Sequence, residues 1–485
     1  MKHTIISAFV LSAMASGQLF AAEGKKSSSP AKAATEAYEA GKFDDAIKLA
    51  KPLAEKGDAE AIYLMGFAHE NGKGAEASRE KAMEYYRKGV AKKHADSVYR
   101  LAFMLMASQE KSDVEEAKTL LENQAKTDAG VSGRILGEAY LLGRFSEKPD
   151  PETAVKWWSK SAEAGDIASM LFLARFYDGQ MGFAEMRKPG LSMKNYRLAA
   201  EKGNSAGMVA LGTRLLTEKD ASKEQLKEGH EWLDKAIAEK NFAAYLALGN
   251  YEENTRKDPK AALAAYQKGA EAGQVDCMLR AARFYLNGIG TEADGEKGVE
   301  LLKKAASTGN AEAHFQLAVL HLNQEKPDLQ TAYGHLLTSA NGGMALAQNE
   351  LGLFYLSGRF GAADIPAAVS WFSRAAQSNL PAAQNNLGTM YERGSGVPQN
   401  LEQAMKFYSL AAAQGNASAT LALARFHAAG AATTMNKPLG WALAKLAGEI
   451  GEANAANFIT ELEKTLSKED LAAGKKELER IKSGK

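Results

Sequence analysis

The chain has 485 residues, a length that predicts two to four globular domains at about 100–200 residues per domain. Hydrophobic residues make up 45% of the chain and charged residues 25%, which excludes a disordered or collagenous protein. The formal net charge of +1 argues against a broadly basic surface for nucleic acid or membranes, and the single cysteine excludes intrachain disulfides and thiolate-rich metal sites.

The first residues have the pattern of a secretory signal peptide. Lys2 and His3 precede the apolar run 5–14, which is too short to span a bilayer and is followed by small residues suited to cleavage. A buried N-terminal helix is the alternative interpretation. We expect residues 1–22 to be removed, residues 23–33 to form a flexible linker, and the mature chain to be periplasmic or secreted. No cysteine stands near the cleavage region for lipid attachment, and no later apolar run is long enough to insert into a membrane.

One pattern recurs through the rest of the chain with a near-constant period. A large residue is followed four residues later by a small residue and three later usually by glycine, as in Trp158–Ala162–Gly165 and Tyr408–Ala412–Gly415. The last position of each copy falls at 57, 93, 128, 165, 203, 239, 273, 309, 343, 379, 415 and 451. The intervals average about 36 residues, a period typical of helical repeat proteins. Glycine is expected there because a helix often ends through a left-handed residue.

A second pattern lies between these helix ends. LGEAYLLG at 136–143, LGLFYLSG at 351–358 and LGTMYERG at 387–394 each place a glycine beside a leucine, with an aromatic residue one turn later. A small residue lets two helices approach closely, so each unit is predicted to be a pair, helix A followed by helix B. Because one pair buries little apolar surface alone, the pairs are expected to stack.

The sequence therefore predicts an all-α, right-handed solenoid of about twelve helix-turn-helix repeats, each of about 36 residues. We place an N-terminal tetratricopeptide-like repeat at 34–58, the main array at 59–451 and two charged capping helices at 452–485. One continuous array thus replaces the two to four domains that length alone suggests.

Helix-start signals support these boundaries. Asp150-Pro151 and Asp258-Pro259 each put a capping acid before a proline of the first turn. Ser222 with Gln225 fits a capping box, and Ser467 followed by an aspartate three residues later fits it imperfectly.

The segment 385–419 resembles the Sel-one-like repeat, a subclass of the tetratricopeptide superfamily. The G-x-G-V loop and the A-x-x-[WYF]-[YF]-x-x-A-A-x-x-G run of helix B carry this resemblance. Units 94–128 and 204–239 lose the loop glycines, so their registers are less sharply defined. The resemblance implies a scaffold that binds proteins or peptides, and bacterial members of the family are often exported.

The histidines are predicted to be packing residues. His69, His321 and His427 occupy the repeat slot that tyrosine fills in other copies, and His335 occupies a tryptophan slot. His314 and His321 are about 10.5 Å apart along one helix, too far to bind one ion. We therefore predict no metal site. Cys277, on an amphipathic helix, is expected to be a buried and inert thiol, with an intermolecular disulfide as the alternative.

Candidate catalytic motifs are also weak. Ser78–Lys81, Ser339–Asn341 and Lys482–Gly484 loosely fit the motifs of penicillin-recognising serine enzymes. About seven repeats separate the two serines, whereas acylation needs groups within hydrogen-bond reach. A phosphate-binding loop and an H-E-x-x-H motif are absent from the sequence, so we predict that the chain is not an enzyme and needs no cofactor.

Aromatic doublets such as Trp157-Trp158 could stack on sugars or bases. Because similar doublets recur at the same phase in several copies, we attribute them to the repeat architecture. A groove-facing ring of a doublet is the basis of the glycan-binding alternative below.

Helices A line the inner groove of tetratricopeptide-like arrays, so their polar residues are the candidate ligand contacts. The slots three before, two before and one after the recurring small residue should face this groove. The candidate residues are Asn385, Asn386, Asn349, Glu350, Gln316, Arg280, Asn250 and Arg100. Two of them, Arg100 and Arg280, would favour an acidic or C-terminal carboxylate. Solvated polar residues on a helix face are the alternative interpretation.

We therefore predict a monomeric, non-catalytic adaptor of the bacterial cell envelope that binds a protein or an extended peptide in the concave groove. Two alternatives stay open. One is an envelope enzyme or a protein that binds antibiotics or peptidoglycan, and the other is a glycan-binding module that uses groove-facing tryptophans.

Overall fold

The computed structural model describes residues 30–359 and 361–483. The predicted signal peptide, 1–22, and most of the predicted linker lie outside the described residues. The last two linker positions, Lys32 and Ala33, lie in the first helix. This helix is alanine-rich and buries Ala34 and Tyr38, so the linker prediction is wrong at its last two residues.

The described residues form two compact units whose boundary, between Ala247 and Leu248, falls within one helix. The helices of the first unit are α1 (Lys32–Glu39), α2 (Phe43–Glu55), α3 (Ala59–Asn71), α4 (Arg79–Ala91), α5 (Ala95–Met106), α6 (Lys111–Gln124), α7 (Ala129–Leu141), α8 (Pro151–Glu163), α9 (Ile167–Tyr177), α10 (Pro189–Glu201), α11 (Ser205–Thr217) and α12 (Lys223–Ala238). Helix α13 (Ala243–Tyr251) contains the boundary. A short 3-10 helix, Ala184–Met186, precedes α10.

The second unit continues the same alternation after a π-helical turn at Glu252–Arg256. Its helices are α14 (Pro259–Glu271), α15 (Val275–Asn287), α16 (Gly295–Ser307), α17 (Ala311–Leu322), α18 (Leu329–Asn341), α19 (Ala345–Ser357), α20 (Ile365–Gln377), α21 (Pro381–Arg393), α22 (Leu401–Ala412), α23 (Ala417–Ala429), α24 (Lys437–Glu449), α25 (Ala455–Glu463) and α26 (Lys468–Lys482). From α3 to α24, odd-numbered helices are the A helices of the repeats and even-numbered helices are the B helices.

The predicted helix starts are confirmed. The side chain of Asp150 accepts a hydrogen bond from the Thr153 amide at 3.0 Å, with proline in the first turn. Both capping boxes form, including the imperfect one, because the Asp470 carboxylate reaches the Ser467 amide at 3.0 Å. These contacts satisfy backbone N–H groups that a helix leaves unpaired at its start.

The predicted repeat ends adopt the left-handed conformation at all but two positions. Asp128 instead immediately precedes α7, because α6 ends at Gln124 and three turn residues bring the chain to the next helix. In the other case α12 ends at Ala238, two residues before the left-handed Lys240, so the repeat end shifts by one from 239. Both corrections fall in the units that lack the loop glycines.

Close approach of the two helices in a repeat is what the A-helix glycine permits. A Cβ atom at Gly352 would lie 2.5 Å from a ring carbon of Phe372, and one at Gly388 would lie 2.8 Å from the ring of Tyr408. These rings are 0% and 2% exposed. Each aromatic side chain of helix B therefore fills a gap that only glycine leaves on helix A.

Within each unit, helices that follow one another in the chain pack together, which produces the stacked arrangement of an α-solenoid. No strand occurs among residues 30–359 and 361–483. The prediction of an all-α solenoid of helix-turn-helix repeats is confirmed. In the described part of the chain, no helix has the length and apolar character needed to cross a membrane.

The last two helices pack against α24. The Trp441 indole donates a hydrogen bond to Glu463 on α25 at 2.7 Å, and Lys482 on α26 forms an ion pair with Glu449 at 2.7 Å. Ile459, Leu462 and Leu478 complete a buried cluster with Trp441. Apolar surface of the last repeat is therefore covered at this end of the second unit.

Candidate functional site

The A helices present one recurring set of positions, which we call the A-helix face. It consists of the slots three before, two before and one after the small residue that contacts helix B. The sequence placed all eight candidate binding residues in these slots, and the structure divides them into internally bonded and open side chains.

Two of the candidate asparagines bond to each other across neighbouring repeats. The Asn386 amide of α21 donates to the Asn349 carbonyl oxygen of α19 at 3.0 Å. Asn349 is buried, whereas Asn386 and Asn385 are half-buried. Glu350 is half-buried beside them, and this burial raises the pKa of its carboxyl group. The side-chain amide groups of Asn349 and Asn386 thus join two A helices, while Asn385 is the more open of the three.

Arg100 is used inside the protein. Its side chain is 4% exposed, its guanidinium lies 3.4 Å from Glu70 on the preceding A helix, and it stacks over Phe67. The same Glu70 accepts a hydrogen bond from Tyr86 at 2.5 Å. The interpretation of Arg100 as a ligand contact is therefore wrong, because its side chain is buried and already forms an ion pair with Glu70.

The other three candidates differ in exposure. Asn250 accepts a hydrogen bond from Tyr266 at 2.9 Å, and Gln316 donates to Glu312 within its own helix at 3.0 Å. Arg280 is exposed on α15 and forms no ion pair within the described residues. The electrostatic influence of its charge extends to Glu253 in the π-helical turn that follows α13.

A cleft of about 230 Å³ opens on the A-helix face of the second unit, between α21 and α23. Helix α21 contributes Asn385 and three residues of its second half, and α23 contributes four residues from one face. Tyr408 of α22 and the segment between α24 and α25 line the rest. The lining residues are Asn385, Thr389, Glu392, Arg393, Tyr408, Ser418, Leu421, Ala422, Arg425, Glu452 and Asn454.

The two glutamates of the cleft are held by internal donors. Glu392 accepts the Tyr408 hydroxyl at 2.5 Å, and burial together with this bond raises the pKa of the tyrosine. Glu452 accepts the Ser418 hydroxyl at 2.6 Å and the Asn454 amide groups at 3.0 and 3.2 Å. The Ser418 bond is the main reason that the pKa of Glu452 is lowered.

The two arginines of the cleft are open by comparison. Arg393 and Arg425 are exposed, and neither takes part in an ion pair within the described residues. The Arg425 guanidinium lies 5.9 Å from the centre of the Phe458 ring. The cleft thus contains two glutamates bonded to neutral internal donors and two exposed arginines outside any ion pair in the described residues.

Several cleft residues were missed at the sequence level. Thr389 and Arg425 occupy the slot one after the small residue, which was predicted to face the groove. Asn250 was the one residue of this slot among the predicted ligand contacts. A full listing of that slot would have found both. Glu452 and Asn454 follow the last repeat, so no repeat register could have placed them at the cleft.

The histidines do pack with their repeats, but three of them come together. The Nδ1 atoms of His314 and His335 are 2.9 Å apart, and His321 stacks on His335 with ring centres 5.9 Å apart. Burial, then the charges of His314, His321 and Lys303, lowers the pKa of His335. Within residues 30–359 and 361–483, no three His, Cys, Asp or Glu side chains are placed to hold one metal ion.

The candidate serine motifs have structural uses. Ser78 caps α4 by accepting the Lys81 amide at 3.2 Å. Ser339 is fully buried and donates to the Ala311 carbonyl oxygen at 2.7 Å. Gly484, the end of the third motif, lies outside the described residues. Cys277 is fully buried, and this burial raises the pKa of its thiol to about 11.

The aromatic doublets also use their rings within the fold. Trp158 is 1% exposed, and the half-buried Trp157 carries Lys160 over its ring at 4.6 Å. Trp371 carries Arg374 in the same way, also at 4.6 Å. The Trp157-Trp158 doublet does not line the cleft, and neither does its counterpart on α20, Trp371-Phe372.

Comparison with known families matches a model described as the Sel1 repeat to seven segments of the chain. These are 59–94, 134–166, 167–204, 275–310, 311–344, 345–380 and 381–416. Together they cover about half of the sequence. The segments that are passed over include the two units whose loop glycines are missing.

Curated relatives include two fungal proteins. The chain is 25% identical over 273 residues to chitin synthase regulatory factor 4 of Schizosaccharomyces pombe, covering 50% of this chain and 42% of that protein. It is 32% identical over 268 residues to chitin synthase regulatory factor 3 of the same organism, covering 53% and 29%. The chain thus spans less than half the length of the curated relatives it matches.

A solved structure supports the fold. A protective antigen of uropathogenic Escherichia coli strains, which displays an SLR fold, aligns with a TM-score of 0.51. The two chains are 23% identical, and the alignment covers 90% of this chain and 94% of the antigen. The likeness extends over most of both chains and is one of architecture.

Proposed function

Because the chain belongs to the Sel1 repeat family, we propose that it is a non-catalytic protein-interaction scaffold of the bacterial cell envelope. Its A-helix face would bind an extended segment of a protein partner. Proteins of this family are typically interaction scaffolds, and solenoids offer long continuous surfaces suited to that role. The cell-envelope location rests on the signal-peptide pattern of residues 1–22.

The cleft between α21 and α23 is the observation that carries this proposal. It lies on the A-helix face and includes Asn385, which the repeat pattern predicts to be a ligand contact. Side-chain amides, hydroxyl groups and guanidinium groups line it, and these groups can bond to a peptide backbone or side chain. Its Ser418 and Tyr408 hydroxyl groups donate to Glu452 and Glu392, so these bonds hold both carboxylates in place within the cleft.

The fungal relatives give further support. Their names describe regulators of chitin synthase, that is, proteins that act on an enzyme. A chain of similar repeats that acts through a partner agrees with that description. Since less than half of each relative is matched, we carry over the general role and not the target.

The proposal is tested by site-specific photo-crosslinking in cells. A photoreactive phenylalanine analogue replaces Ala422, which lines the cleft, and in a matched strain it replaces Lys406, which is exposed on α22 and does not line it. We expect a discrete protein adduct from position 422 that is absent from position 406. No adduct from position 422, or the same adducts from both positions, would contradict the proposal.

The location is tested on the same material. Fractionation should place the protein in the envelope fraction, and N-terminal sequencing should show a new terminus near residue 22. A cytoplasmic protein that retains Met1 would overturn the envelope assignment and leave the scaffold role to the crosslinking experiment.

A further inference from the structure

Three arginines of the A helices pair with an acid of the preceding repeat, whereas the arginines of the cleft do not. Arg214 contacts Asp178 at the end of the preceding A helix at 2.6 Å. Arg283 forms an ion pair with Glu253 in the π-helical turn that follows α13, and Arg100 forms one with Glu70 of α3. In these three repeats the guanidinium charge is neutralised by the protein itself.

At the cleft, the corresponding acid is present but forms no ion pair with the arginine of the next repeat. Glu392 stands four residues after Gly388, as Glu70 follows Gly66 and Glu253 follows Gly249. Like those two glutamates it accepts a tyrosine hydroxyl group, but the arginine one repeat later, Arg425, is not paired with it. Arg425 and Arg393 are therefore exposed at the cleft without an ion pair in the described part of the chain.

We propose that this cleft binds a side-chain carboxylate of an extended acidic segment in the partner protein, an inference that rests on the proposed scaffold function. Two exposed guanidinium groups supply charge and paired donors, the geometry that carboxylates prefer. The Asn385 side chain, on the same wall, is placed to bond to the adjacent peptide backbone.

An apolar step lies beside the cleft on the same face. Leu353 fills the slot of α19 that Thr389 fills in α21 and Arg425 in α23, and Leu346 fills the slot of Ser418. Thr389, Arg425 and Ser418 line the cleft, so the two leucines extend the same face by one repeat. Both are open, with 45% of Leu346 and 37% of Leu353 exposed.

The spacing of the two features describes the bound segment. Neighbouring helices in one layer lie about 8–10 Å apart, and an extended peptide advances about 3.3 Å per residue. Leu353 lies one helix step from Arg393 and two from Arg425. The segment therefore carries an apolar residue about three to six residues from its acidic residue.

Peptide arrays probed with the full chain test this. The probes are acetylated and amidated decapeptides in a Gly/Ser background, each with one leucine and one glutamate at varied separation. A second set has glutamine in place of glutamate. A third set also has glutamine but ends in a free C-terminal carboxylate in place of the amide. We expect binding of the first set alone, strongest at separations of about three to six residues.

Matched variants locate the binding. The double variant Arg393→Gln/Arg425→Gln should weaken binding of the acidic peptides about tenfold or more, as expected for loss of charge-assisted bonds. The control Lys268→Gln/Lys406→Gln removes the same charge from exposed B-helix positions and should leave binding unchanged. Leu346→Ser should weaken binding of these leucine-containing peptides and leave unchanged the binding of matched peptides that carry serine in place of leucine. All substituted positions are exposed, and thermal unfolding checks that each variant keeps the fold.

Equal binding of glutamate and glutamine peptides, full binding by the arginine double variant, or no binding of any peptide would overturn the proposal. Preference for the third set would show that a chain terminus, and not a side chain, supplies the carboxylate, and would also overturn it. A cleft that crosslinks a partner but selects no acidic peptide refutes this inference alone. A cleft that crosslinks nothing refutes the scaffold function itself.

Discussion

At the residue scale, Glu138 is a buried carboxyl group whose pKa is displaced upward. It is 7% exposed on α7, and burial raises its pKa to about 7. Two charged groups face it: Arg134 at 3.8 Å, which lowers the pKa, and Asp166, which raises it. Because Arg134 also lies 3.5 Å from Asp166, it compensates Glu138 only in part.

Glu138 makes the first unit more stable in mild acid. A carboxyl group whose pKa is raised in the folded state favours folding below its unfolded pKa, and that contribution is lost as pH rises through about 7. We expect Glu138→Gln to raise the free energy of unfolding at pH 8 by about 3 kcal/mol at most. At pH 4 the change should be small. Hydrogen exchange of α7 at the two pH values measures this, and an equal effect at both would contradict it.

At the scale of the element, several repeats depend on contact between a glycine of helix A and an aromatic ring of helix B. Gly352 and Leu356, one turn apart on α19, pack over the Phe372 ring of α20. No side chain fits between Gly352 and this ring. Helix propensity alone would favour alanine at this position. Glycine is present there because packing, and not propensity, sets the distance between helices A and B.

Two identical substitutions separate these effects. Gly352→Ala places a Cβ atom 2.5 Å from Phe372 and should destabilise the fold by about 1–3 kcal/mol through overpacking. Gly334→Ala, in the middle of α18, meets no atom within 4 Å and should stabilise it by about 0.5–1 kcal/mol. Thermal or denaturant unfolding measures both. Stabilisation by Gly352→Ala would show that the helices can move apart without cost.

At the scale of the whole molecule, each repeat is stabilised by its contacts with the repeats on either side of it. Helices α25 and α26 cover Trp441 and complete its buried cluster. Their charged outer residues face solvent, as a terminal repeat of a solenoid requires. The ends of such an array therefore decide where opening begins.

Truncation after Gly451 should expose the cluster around Trp441. We expect hydrogen-exchange protection to fall in α23 and α24 first, while earlier helices of the second unit keep theirs. The truncated chain also lacks Glu452 and Asn454, so the cleft loses one wall. Truncation after Lys482 is the control and should change neither. A uniform loss of protection across the second unit would show that it unfolds as one cooperative block.

The sequence by itself determined the repeat, the helix pairs and their caps. These features depend on spacing within about 36 residues, on glycine at left-handed ends and on capping side chains, all of which are local and periodic. The two register errors, at 128 and 239, occurred where that periodic signal is lost. Local chemistry could not replace it there.

Only the tertiary structure decided which slots of the A-helix face are open. Arg100 and Arg425 both follow from the slot rule, yet the first is buried and pairs with Glu70, while the second is exposed and forms no ion pair in the described residues. Likewise, the Asn349–Asn386 bond and the cleft wall at Glu452 join residues from different repeats or beyond the last one. The slot of a residue predicts which way its side chain points. Whether that side chain can contact a ligand depends on the partners that stacking of the repeats brings within hydrogen-bond distance.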